Sequence, residues 1–272
     1  MSATEEIVSE KLSRRNLLTR FGAAGVGAAA TAMLAGCSGS SSGNNGASTN
    51  QQILNAAATA EALATVMYYN IIHTSPLYST GLAGNAPDQA YLQAGLEQEA
   101  NHYYTLVAAG AVPLTTTFYF PTNMFSDNTY VTTVNTLVHL EYAFIAAYLI
   151  GVRDFSSSSL RVLASQIMGV EAEHRTLARV IANDVGLTSV PDLAGIAEGV
   201  APPSHTSNNI SYERTYSSAL PNIQAVVTAL TPFVSTPSTG FSTTPYAFNT
   251  AANFYSTTSP VTQDQTGPNN PD

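Results

Sequence analysis

The chain has 272 residues, of which 44% are hydrophobic and only 10% charged, with a net charge of −9. A core is affordable, but the polar surface must come from Ser, Thr, Asn and Gln, a composition that suits a protein outside the cytoplasm. Beyond residue 21 the only basic side chains besides histidine are five arginines, so there is no basic patch for nucleic acid, and the single cysteine, Cys37, excludes an intrachain disulfide.

Residues 1–37 read as an export signal. Ser13-Arg14-Arg15-Asn16-Leu17-Leu18 resembles the twin-arginine signal, and an Ala/Gly-rich apolar run over 21–35 follows it. That run is shorter than the roughly 20 residues a membrane-spanning helix needs. Leu34-Ala35-Gly36-Cys37 resembles a lipobox, which implies acylation of Cys37 and a lipid anchor in the membrane. The twin-arginine resemblance implies export of an already folded protein, a route that suits a cofactor loaded in the cytoplasm. Residues 38–50 read as a flexible Gly/Ser/Asn tether.

Four long helices are expected next, within a bundle spanning 51–190. The first covers 51–72, with apolar residues at helical spacing, and stops before Ser75-Pro76. The second covers 86–110, with Pro87 and Asp88 in its first turn and Gly110 at its end. The third covers 128–151, with Asp127 as N-cap, and the fourth covers 157–183, with Gly186 just past it.

The connections carry topology. A few residues join the third and fourth helices, so these are antiparallel neighbours. Residues 111–127 lack helical periodicity and hold Pro113 and Pro121. Extended at about 3.3 Å per residue, that link reaches over about 50 Å, against about 30 Å for a 20-residue helix. It is long enough to return along the bundle as one long crossover. Residues 191–235 read as an accessory segment with a short helix over 221–234. Residues 236–272 read as an irregular, extended or disordered Ser/Thr/Pro-rich tail.

Glutamates mark the chemistry. Glu61, Glu99, Glu141 and Glu171 fall one per helix, and Glu99 and Glu171 are followed three residues later by His102 and His174. Positions i and i+3 share a helix face, so each Glu-x-x-His aims a carboxylate and an imidazole at one point. Glu61 and Glu141 sit in apolar helices, where an unpartnered carboxylate is costly and wants a cation. The order Glu, Glu-x-x-His, Glu, Glu-x-x-His is the ligand pattern of di-iron and di-manganese carboxylate bundles. Two iron ions are expected, with manganese as the alternative, since both accept carboxylate and imidazole. Either Glu99 and Glu171 or the two lone glutamates would bridge them.

Tyr68 and Tyr148 each follow a lone glutamate by seven residues and are candidate donors to the carboxylates, against the reading that they are core residues with satisfied hydroxyls. Glu97 and Glu173 should be solvated, His139 should face away from the site, and His73 and His205 should lie in loops. Arg175 and Arg179 fit dipole complementarity near the end of the fourth helix.

These residues resemble the ferritin-like proteins related to the bacterial desiccation-associated family. The likeness is carried by the Glu61 helix with Tyr68-Tyr69, Glu99 to His102, Leu140-Glu141, Gly169-Val170-Glu171-Ala172-Glu173-His174 and Pro232-Phe233, and it covers about residues 50–235. It implies an all-α, ferritin-like four-helix bundle and a metal site, and names no substrate. Two functions follow: a di-iron or di-manganese oxidoreductase acting on Fe(II), O2 or peroxide, or a non-catalytic envelope protein for desiccation or stress protection. Storage in a closed cage ranks last, because a tether at one end and a long tail at the other would hinder a shell. The sequence leaves the oligomeric state open.

Overall fold

The structure is a computed structural model and describes residues 49–187, 220–235 and 237–248. The expected export signal, Cys37, most of the tether, His205 and the tail beyond residue 248 lie outside the described residues. Four long helices are present: α1 (Thr49–Thr74), α2 (Ala86–Ala108), α3 (Val131–Asp154) and α4 (Ser158–Asp184). A shorter α5 (Ile223–Val234) follows. The fold is the expected all-α bundle. The last two residues assigned to the tether already belong to α1.

Local chemistry sets the helix ends. The Asn85 side chain caps α2 by accepting from the Asp88 N–H, with Pro87 in the first turn. Ser157 caps α4 and Asn222 caps α5 in the same way. Gly110 and Gly186, at φ +99° and +79°, take the left-handed conformation that ends α2 and α4. The start of α3 differs from expectation: its flanking residue is Tyr130, at φ 64° and without a side-chain cap. Asp127 still satisfies the helix from three residues back, accepting from Thr132 N at 2.8 Å as well as from Thr129 N. The carboxylate cap is conserved in function, and the turn it closes delays the helix by three residues.

Neighbouring helices of the four-helix bundle run antiparallel. Gln51 at the start of α1 reaches the Gly110 carbonyl past the end of α2. Asn50 meets Ser156 beyond the end of α3, and Asn85 meets Asp184 at the end of α4. The link over 109–130 therefore runs the length of the bundle, as expected of a single long crossover. Its middle forms β1 (Thr117–Phe118), which pairs antiparallel with β2 (Tyr246–Ala247) from the C-terminal tail.

Helices α1 and α3 are central. α1 packs on α2, α3 and α5, and α3 packs on α1, α4 and α5. Residues 56–68 and 140–148 are buried without interruption, which is why both helices are apolar on every face. α3 is long and apolar enough to cross a membrane, but it lies inside the bundle. α2 and α4 are outer helices with one buried stripe each. Leu92, Leu96, Glu99, Tyr103 and Leu106 make the first, and Ala164, Ile167, Glu171, His174 and Ala178 the second. Glutamates at stripe positions are the local anomaly that marks the site.

Candidate metal centre

Each of the four bundle helices sends one glutamate to the same interior point. Glu61, Glu99, Glu141 and Glu171 are all 0% exposed. α2 and α4 each add a histidine one turn further on. The six expected ligands converge in two sets, Glu61–Glu99–His102–Glu171 and Glu99–Glu141–Glu171–His174, with the ligating atoms of each set within 4.8 Å of one another.

The oxygens are divided between the sets. His102 Nδ1 lies 3.4 Å from Glu61 Oε2, 3.7 Å from Glu99 Oε2 and 3.1 Å from Glu171 Oε1. His174 Nδ1 lies 2.9 Å from Glu99 Oε1, 3.9 Å from Glu141 Oε2 and 3.5 Å from Glu171 Oε2. Glu99 and Glu171 thus offer one oxygen to each set, while Glu61 and Glu141 serve one set each. The two ring centroids are 6.3 Å apart.

Tyr68 and Tyr148 complete the arrangement crosswise. Tyr68, on the helix of Glu61, donates to Glu141 Oε1 at 2.7 Å. Tyr148, on the helix of Glu141, donates to Glu61 Oε1. Each lone glutamate therefore has one oxygen held and one free. The remaining polar atoms, Glu61 Oε2, Glu141 Oε2, both oxygens of Glu99 and of Glu171, and both Nδ1 atoms, are buried without a hydrogen-bond partner. Eight such atoms facing one another is a large cost for a folded core unless protons or metal cations sit among them.

The electrostatics agree. Burial and the neighbouring Glu171 and Glu99 charges hold the Glu61 carboxyl well above its usual range. Burial and Glu99 do the same to Glu141. Burial opposes ionisation of Glu99, but the His174 charge and the close approach of both imidazoles outweigh it and hold Glu99 below the carboxylate range. The imidazoles are pushed up, His102 by Glu171, Glu61 and Glu99 and His174 by Glu99 and Glu171, against the opposing effect of burial. Burial and the adjacent carboxylates push both tyrosine hydroxyls up, so they stay protonated donors.

The other candidates sort differently. Glu173 is exposed and Glu97 half-buried. His73 lies in the last turn of α1, not in a loop, with its ring 4.3 Å from that of Tyr69. Arg175 and Arg179 are buried, at 3% and 7% exposure, and Arg175 stacks 5.2 Å over the Tyr142 ring. Their positions follow from the α4 stripe, and a solvated dipole role does not describe them. Gln98 joins the site only in the folded chain: its Oε1 lies 2.8 Å from His174 Nε2. The only sequence signal was its adjacency to Glu99.

Neither a curated protein nor a solved structure matches this chain. Residues 49–184 match the family model of the ferritin-like domain, bounds that coincide with the start of α1 and the end of α4. That match covers half of the sequence and contains all six converging ligands, and the chain belongs to the ferritin-like domain family.

Proposed function

We propose that this chain holds two metal ions, iron or alternatively manganese, and uses them for redox chemistry with Fe(II), O2 or peroxide. The observation that carries the proposal is the pair of ligand sets sharing Glu99 and Glu171, lined by eight buried atoms with no other partner. Four carboxylates and two neutral imidazoles balance two divalent cations in charge, and their hard donors suit iron and manganese. Glu99 and Glu171, which have an oxygen in each set, would serve both positions. Glu61 and Glu141 would be terminal ligands, each steadied by a tyrosine. When bound, a dinuclear iron centre supplies two-electron exchange with O2 or peroxide. The protein residues would hold the ions, keep the tyrosine protons at Oε1 of the lone glutamates, and exclude bulk water.

The same proposal puts the protein outside the cytoplasm, exported by the twin-arginine route and anchored through acylated Cys37. It rests on the order of arginine pair, apolar run and cysteine. A fraction in which Cys37→Ala protein stays membrane-bound would remove the anchor.

Metal content after anaerobic Fe(II) or Mn(II) loading decides the central claim. Two ions per chain are expected, with loss in the Glu171→Ala/His174→Ala double variant. No stoichiometric metal would end the dinuclear reading. Bound metal without reaction toward O2 or peroxide would favour a non-catalytic role in desiccation or stress protection.

A further inference from the structure

The two halves of the site are built differently. His174 is fixed on several sides. Its Nδ1 faces Glu99 and Glu171, its Nε2 meets Gln98 Oε1 at 2.8 Å, and the Tyr68 ring centroid is 5.7 Å away. An amide oxygen only accepts, so Nε2 carries the hydrogen and Nδ1 keeps its lone pair for a metal. Every ligand of this half is buried, His174 itself at 2% exposure. In the other half, His102 has 12% of its side chain open. Facing Glu171 of α4, it lies between α2 and α4, the neighbouring bundle pair with the fewest close backbone approaches.

We infer that Gln98 is a positioning residue that makes the Glu99–Glu141–Glu171–His174 position the tighter of the two. That position fills first, and the His102 position exchanges its ion through the α2–α4 seam. The inference rests on the dinuclear reading. Its physical basis is twofold. A ring already held in the ligating tautomer loses little freedom on binding, and a hydrogen bond at the far nitrogen strengthens the near one as a donor. Burial then slows exchange at the His174 half, while the open edge of His102 admits water and ions to its own.

The test is site-resolved occupancy in the full chain, read by anomalous diffraction from Mn(II) at one equivalent and at saturation. At one equivalent the His174 position should hold about tenfold more ion than the His102 position; at saturation both should be full. Gln98→Leu should weaken the first binding step by about 10- to 100-fold and even out the occupancies. Gln98→Glu keeps an acceptor oxygen and should preserve the order. Even filling, or His102-first filling, in the unaltered protein would overturn the inference, as would an unchanged order in a folded Gln98→Leu variant. The wild-type order stands as a test if that variant does not fold. Fewer than two ions at saturation is a different failure: it removes the dinuclear reading itself, and this inference with it.

Discussion

At the scale of single residues, the metal-free site favours protons on four of its groups. Glu61 and Glu141 have carboxyls held above their usual range, and His102 and His174 have imidazoles held above theirs. In each of the four, the shift favours the protonated form in the metal-free chain. Metal ligation would need each of them bare, so ion and protons would compete. The sign is fixed: raised pKa values mean more protons to expel, so affinity rises with pH and falls with acid. Loading Mn(II) into the weakly buffered protein at pH 7 should acidify the solution, and a pH-stat titration measures the release. No acidification at stoichiometric binding would mean that the site is already deprotonated. The same residues show what could be read early. Glu-x-x-His is local, three positions on one helix face, so Glu99 with His102 and Glu171 with His174 were legible. The sharing of Glu99 and Glu171 between two sets was not, because it depends on which oxygen each neighbouring helix presents.

At the scale of helices, two contacts tune the bundle. Gly95 lets α2 approach α1, and a Cβ there would come within 2.7 Å of Tyr68 Cε1. Gly95→Ala gains about 1 kcal/mol of helix propensity but costs about 1–3 kcal/mol in overpacking. The net change should be a loss of about 0–2 kcal/mol. The ring of Tyr68 must move, however, and it is the ring that holds Glu141. Metal affinity in an anaerobic titration should fall about tenfold; unchanged affinity would mean that the helices separate instead. The second contact is Asp127 at the start of α3. Burial opposes its ionisation, but bonds from Thr129 and Thr132 outweigh that and lower its pKa. A depressed carboxylate stabilises the fold above the unfolded value of about 3.9 and loses that contribution as pH falls through the folded value. Asp127→Ala should therefore cost about 1 kcal/mol at pH 7. The gap between variant and wild-type melting should narrow toward pH 3. Caps such as Asn85 and Ser157 act within one turn. The delayed start of α3 came from Tyr130 adopting φ 64°, which no spacing rule predicts.

At the scale of the molecule, the tail closes the crossover. β2 pairs with β1, the Phe248 N–H bonds to the Thr116 carbonyl at 2.8 Å, and the Phe248 ring lies 4.4 Å from that of Tyr103 on α2. Phe120 of the crossover is ringed by Phe125, Phe233 and Tyr246 at 5.0, 6.2 and 5.4 Å. The crossover, α5 and the tail thus share one aromatic core on the bundle. Phe248→Ala should cost about 3 kcal/mol in chemical unfolding while leaving metal stoichiometry intact. Loss of metal would show that the tail also shapes the site. What the sequence determined by itself was the local part: four helices, a link long enough to return along the bundle, and one glutamate per helix with a histidine three residues on in two of them. Those follow from periodicity and from the cost of burying charge. Only the tertiary structure decided which carboxylates face both sets, that Tyr68 and Tyr148 reach across to the opposite glutamate, that Gln98 meets His174, and that the tail pairs with the crossover. Each joins residues far apart in the chain, and no repeat in the sequence encodes contacts that exist only once the helices have packed.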